Sequence, residues 1–482
     1  MRLEERRSVM RKKGIVIFLL LGLIIAVLSS LPGSYSVPDK PPGGNSNASS
    51  INHVGNVEMV EDGSFEEKTY SSSISGQNAL LIDNATVSLN SCKFEKSGDS
   101  DGEASDFYGT NAAIFSYNKA LVTIKDATVS TNGAHANAVF AYDTGVINIS
   151  KSTIKTSKNN SGGIMVTGGG VINATELTIE TDGNSSAAIR SDRGGGTMKV
   201  DGGKYMTNGQ GSPVIYSTAN IEVKNATMVS NKSEGVVVEG KNQVTIENCN
   251  LEDHNTTLNG NSTTYKNIFL YQSMSGDADE GVSTFEAKNN NIMTYQGDSI
   301  YVTNTTADIT LENNTLVNAD GDFLRIEAAK WGKSGSNGGE VTLKLKNQSI
   351  EGNIIVDAIS TLEMSLVEGS RYSGVINQNH DAKEIKLSLS KDSSIVLAGD
   401  SYITSLENED NQNSNIDLNG YKLYVNGEEI EVQERNQEVQ EEENSIQEKN
   451  KEVIKYIIIG VSVVLFIFIV IYMIIKKTKR MI

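Results

Sequence analysis

The chain has 482 residues and a formal net charge of −18, from 42 Lys and Arg against 60 Asp and Glu. That balance leaves no basic stripe to neutralise phosphates and excludes nucleic acid as a first partner. With 44 Gly, 5 Pro, 1 Trp and abundant Asn, Ser and Thr, the composition suits a chain that turns often and pairs its backbone in between.

In chain order, residues 1–36 carry a basic opening and then an apolar run from Gly14 to Val27, with Ser34 and Ser36 placed as a signal peptidase requires. The segment reads as a signal peptide or an uncleaved signal anchor. Residues 37–71, which open VPDKPPGGNSNASS, read as a flexible linker and the start of an ectodomain.

Residues 72–427 repeat. VTIKDATVST starts at Val122, INISKSTIKT at Ile147, INATELTIET at Ile172, MKVDGGKYMT at Met198, IEVKNATMVS at Ile221, VTIENCNLED at Val244 and FEAKNNNIMT at Phe285. Each carries an apolar residue in the third place, then a turn rich in Gly, Asn and Ser, then a second apolar run such as GGIMVT or SPVIYS. The alternation has the period of a strand. A short strand cannot bury its own face, but coils stacked about 4.8 Å apart bury it against one another. The expected fold is therefore all-β, a right-handed single-stranded parallel β-helix of roughly a dozen coils, a rod about 60 Å long.

Two columns of this stack carry expectations. Asn225, Asn248, Asn289 and Asn313 fall at one place in successive coils, where a ladder of amides would satisfy groups facing the interior. Cys92 and Cys249 share another column, about six coils or 29 Å apart, too far for a disulfide, so two free buried thiols are expected. Four insertions break the period: Gly98–Thr110, His254–Lys266, Ser273–Ser283 and Ala328–Glu340. By register the first two leave one corner of the coil and the last two leave the next; such inserts map to loops, often on a binding face.

After Gly427 the chain is dominated by Glu, Gln and Lys, with Val432, Val439, Ile446 and Val453 seven residues apart. Half a heptad pattern predicts a solvated helical stalk over 428–453. Residues 454–475 contain an uninterrupted apolar stretch, Tyr456–Ile475, long enough to span a bilayer, and 476–482 form a basic tail expected in the cytoplasm. The expected placement is a single-pass cell-membrane protein with its β-helix outside.

The register, the short strands and the Asn column resemble the pectate-lyase-like right-handed β-helix superfamily. More narrowly, stretches such as AAIRSDRGGGTMKVDGG, YQSMSGDADEG and WGKSGSNGGEV are similar to adhesin-like β-helix surface proteins of Gram-positive bacteria and some archaea. The resemblance implies a surface-displayed, adhesive rod; fold alone does not fix function.

That superfamily also contains polysaccharide lyases and glycoside hydrolases, so chemistry has to be weighed. The best basic–acidic cluster is Arg190, Asp192 and Arg193 in IRSDRGGG, read either as a ligand site or as a structural turn with an internal ion pair. Trp331, inside the glycine-containing insert Ala328–Glu340, either stacks on a sugar ring or caps the coil edge. Asp99, Asp101 and Glu103 on one insert, and Asp277 and Asp279 on another, are candidate loose calcium ligands or plain acidic loops. The triple glycines lie between strands, not between a strand and a helix, so no nucleotide is expected. The chain contains no pair of Asp-rich strands for a glycosidase, and the expectation is binding of a glycan or other cell-surface ligand without catalysis and without a required cofactor; a polysaccharide lyase or glycoside hydrolase is the alternative.

Overall fold

The computed structural model describes residues 51–100, 102–260 and 262–432. Its strands stack in register from coil to coil. One interior position runs Phe65, Leu89, Ile124, Ile149, Ala174, Val200, Val223, Ile246, Ala287, Leu311, Leu345, Leu366 and Leu389, each paired in parallel with the next. The copies read from the sequence pair as written: Val122 with Ile147, Ile147 with Ile172, Ile172 with Met198, Met198 with Ile221, Ile221 with Val244 and Val244 with Phe285.

The result is an all-β, right-handed parallel β-helix of about 15 turns, more than the dozen expected. The extra turns lie at the ends, where the repeat is weakest. Gly55–Met59, inside the stretch read as linker and start of the ectodomain, already pairs with Asn78–Asp83, and Ser401–Ile403 pairs with Leu423–Val425. Two large sheets form the walls: a 12-stranded sheet from the second apolar run of each coil, and a 22-stranded sheet from the first run and the strand after its turn. A continuous apolar core fills the space between them, from Met59 to Leu423.

The Asn column stacks, but on the outside of the coil and not toward the interior: Asn313 Nδ2 donates to Asn289 Oδ1 at 2.7 Å. Asn225, Asn248, Asn289 and Asn313 are exposed and sit at φ of 52° to 56°. They bend the chain in the left-handed region, which Asn tolerates better than most residues. The interior ladder is one residue later. The Cys249 N–H donates to Asn290 Oδ1 at 2.8 Å, the Asn290 N–H to Asn314 Oδ1 at 2.9 Å, and the Asn314 N–H to Gln348 Oε1 at 2.7 Å. Asn serves both places because its short amide suits a left-handed turn and also caps a backbone donor. Cys92 and Cys249 are both free and buried, as the column spacing requires.

The far end is closed by a hairpin. Glu428–Glu429 pairs antiparallel with Tyr424 and Val425, and Ile430 and Val432 pack against the end of the core. The helical stalk therefore does not begin at 428, because these apolar residues cover the last coil. The rest of the expected stalk, the 454–475 transmembrane helix, the 476–482 tail and the 1–36 signal segment lie outside the described residues. Among the described residues, no helix is long and apolar enough to cross a membrane.

Candidate functional site

Alternate residues of the 12-stranded sheet point inward, so the others form its outer face. One outward column runs Leu81, Phe115, Phe140, Met165, Arg190, Tyr216, Val237, Phe269, Tyr301 and Arg325 in successive coils. The inserts line this face. Residues 98–110 and 254–266 enter it from one side, since both follow the same column of the larger sheet. Residues 273–283 and 328–340 follow the 12-stranded sheet itself and stand on its other side.

At the centre the two sides meet on Arg193. Its Nε donates to Asp277 Oδ1 at 2.7 Å, and its Nη1 lies 3.5 Å from Glu103 Oε1. Its guanidinium also lies 3.8 Å from the centre of the Phe107 ring, a cation–π contact. Glu103 and Phe107 belong to a six-residue helix, Glu103–Tyr108, inside the first insert. Thr167 Oγ1 donates to the Phe107 carbonyl at 2.7 Å, and His135 Nδ1 meets Asp106 at 2.8 Å, so this helix is fixed to the coils beneath it.

Arg193 reaches this point because Gly194 to Gly196 bring the chain close to its neighbours: a Cβ on Gly195 would lie 2.7 Å from the Thr218 carbonyl oxygen, and its φ is 57°. Next to it, Arg190 Nη2 donates to Asp192 Oδ2 at 3.1 Å. Burial pushes the Asp192 carboxyl up to about 7 against the pull of Arg190, and Asp277 adds to the rise.

Further along the face lies a second buried carboxylate, Glu239. Tyr216, Tyr271 and Ser273 all donate hydroxyls to it, Tyr271 at 3.0 Å. Burial raises its pKa, and these hydroxyls hold the rise back. Beyond it, Trp331 is half-buried, with its ring 5.3 Å from both Phe269 and Tyr271. Arg325 is held by Asp298 and Asp322, each at 2.6 Å.

The structure thus brings together Arg190, Asp192, Arg193, Glu103 and Asp277, from three separate stretches of chain. It sets Trp331 on the same face, several coils away. Asp99 stands apart, accepting the Ala134 N–H at 2.8 Å; Asp279 is exposed; Asp101 lies outside the described residues. Glu103 and Asp277 face Arg193, and among the described residues no three His, Cys, Asp or Glu side chains group to hold a metal.

Tyr216, Glu239, Tyr271, Ser273 and the Asp106–His135 pair escaped the sequence reading. Their one signal was position: Tyr216, Glu239 and Tyr271 occupy the outward places of apolar runs such as SPVIYS and GVVVEG.

Chemically, the face holds a packed aromatic cluster, with Phe269 and Tyr301 buried and Tyr216, Tyr271 and Trp331 partly exposed, and carboxylates that are already matched. Arg190, Arg193 and Arg325 each carry a carboxylate partner, so none presents a bare cation to an anionic sugar. Asp192 is the group whose proton could move near neutral pH, and it is enclosed, 4% exposed. Residues 112–269 match the family model described as a right handed beta helix region. No curated protein matches the chain.

Proposed function

For a chain that carries a right-handed parallel β-helix of the pectate-lyase-like type, we propose a non-catalytic, adhesin-like role: a cell-surface rod that binds glycan or cell-envelope components along the outer face of its 12-stranded sheet. The apolar segment 454–475 would tether it to the cell membrane and leave the β-helix outside. The observation that carries this reading is the aromatic group on one insert-lined face, in which Phe269 and Tyr301 are buried and Tyr216, Tyr271 and Trp331 are partly exposed around them, with every nearby arginine neutralised. Aromatic rings bind sugars through their apolar faces and need no free charge.

The second reading is a surface polysaccharide lyase or glycoside hydrolase. It is favoured by Asp192, whose raised pKa would suit a general acid or base. Against it stand the enclosure of Asp192 and its pairing with Arg190.

One experiment separates the two. The purified protein is mixed with a panel of neutral and acidic polysaccharides, and both binding and chain cleavage are followed. The adhesin-like reading expects retention without new reducing or unsaturated ends. It also expects Trp331→Ala to weaken binding about tenfold, the equivalent of ~1.4 kcal/mol. New chain ends that vanish in Asp192→Asn would establish the enzyme instead.

A further inference from the structure

Trp331 is the chain's single tryptophan, and it stands in a loop, AKWGKSGSN over 329–337, with few bulky side chains to order it. One buried amide does that work. Asn337 is 3% exposed, and its Nδ2 donates to two carbonyls of its own loop, that of Ala329 at 2.7 Å and that of Trp331 at 2.8 Å. Among the described residues its Oδ1 is buried without a donor. Turned the other way, the amide would set that oxygen against two carbonyl oxygens, so the acceptors fix its orientation.

The neighbouring coil holds the same loop from below. The Asn304 N–H donates to the Asn337 carbonyl at 3.1 Å, and the Ala329 N–H donates to Thr303 Oγ1 at 3.1 Å. Gly332, at φ 75°, packs on the Asn304 amide: a Cβ there would lie 2.1 Å from Asn304 Oδ1. Asn304 Nδ2 donates in turn to the Gln272 carbonyl at 2.6 Å, at the root of the 273–283 insert. Trp331 is thus held at its carbonyl by Asn337, while its ring meets Phe269 and Tyr271 at 5.3 Å.

We propose that Asn337 is a positioning residue for Trp331: its amide pins the loop so that the indole is presented to a sugar ring before any ligand arrives. The proposal rests on the reading of Trp331 as a sugar-stacking residue. A ring held in place in advance loses less freedom on binding, which favours affinity. Asn337 is enclosed and touches no ligand itself; its effect passes through the backbone on either side of Lys330.

The single tryptophan makes the test direct, because its fluorescence in the full-length protein reports this loop alone. Asn337→Ala removes both donated bonds, and Asn337→Asp keeps the shape with at most one proton to donate. In each, Trp331 emission should shift to the red and acrylamide quenching should rise, while far-ultraviolet dichroism shows the coils unchanged. Affinity for whichever polysaccharide retains the unsubstituted protein should fall about tenfold, as for Trp331→Ala. Asn337→Ala combined with Trp331→Ala should bind no more weakly than Trp331→Ala alone, since the amide acts only through that residue. Unchanged emission and quenching in Asn337→Asp would overturn the assignment, and so would losses that add in the double variant. Time-resolved anisotropy of the unsubstituted protein needs no variant: a held indole tumbles with the rod, and a dominant fast local decay contradicts it. If no polysaccharide is retained, the glycan reading fails by itself, and the fluorescence still decides whether Asn337 holds Trp331.

Discussion

Arg193 and Asp277 are 84 residues apart in sequence and 2.7 Å apart in space. This ion pair joins the triple-glycine corner to the insert at 273–283, and the same guanidinium contacts Glu103 and Phe107 of the insert at 98–110. Arg193→Met keeps the apolar stem and removes the charge. It should cost about 2 kcal/mol, the scale of a charged hydrogen bond, and limited proteolysis should then cut first within 98–110 and 273–283. Unchanged cleavage sites would mean that the inserts are held independently of Arg193.

Asp192 sets a pH dependence. Its carboxyl is raised to about 7 by burial, so the folded state holds its proton more tightly than the unfolded chain. Its contribution to stability is full below the unfolded value of 3.8 and is lost as pH rises through about 7. The unsubstituted protein should therefore lose stability relative to Asp192→Asn from pH 4 to pH 8. Denaturant titrations across that range measure it, and a gain in stability relative to Asp192→Asn as pH rises would show that Arg190 holds the carboxylate ionised.

Adjacent asparagines should behave very differently. Asn314 Oδ1 accepts from the Asn290 backbone and side chain, and its Nδ2 donates to the Ala287 carbonyl at 2.8 Å. Asn314→Ala strands these buried partners and should cost about 2–4 kcal/mol. Asn313 is exposed at φ 52°. Asn313→Ala should cost only about 1–2 kcal/mol, for the left-handed backbone and the exposed amide bond to Asn289 at 2.7 Å, and Asn313→Gly should cost less than Asn313→Ala. Urea midpoints of the three variants give the order directly.

The two thiols should be silent in the native state. Cys92 and Cys249 are each about 1% exposed, and burial raises the Cys249 pKa, which disfavours the reactive thiolate. A thiol reagent should modify neither in buffer and both in denaturant. Fast modification of either one in buffer would contradict the burial of that column.

The coil register was readable from the sequence because parallel in-register stacking makes each coil repeat its neighbour's pattern: Ile147 sits on Val122 because both occupy the same interior slot. The side of the Asn column was harder to read. The left-handed turn at Asn289 and the interior cap at Asn290 are neighbours, and both favour the same side chain. The corner from which each insert leaves also followed from register. The meeting of Glu103, Arg193 and Asp277 did not, because it depends on how far two irregular loops reach across a sheet, and no periodicity encodes that distance. The hydroxyls around Glu239 were hidden for a related reason: Tyr216 and Tyr271 look like core residues in apolar runs until the sheet's outer face is known.

The parallel stack underlies the insert-lined face and the interior ladder alike, and an interspin distance tests it most directly. Thr123 and Glu286 occupy one outward column, six coil steps apart through Asn148, Asn173, Lys199, Glu222 and Thr245. With Cys92 and Cys249 replaced by Ala, spin labels at Thr123→Cys and Glu286→Cys should give a single narrow distribution, with backbone positions about 29 Å apart. A maximum below about 20 Å, as in a two-layer sandwich whose sheets face each other at ~10 Å, would contradict the stack.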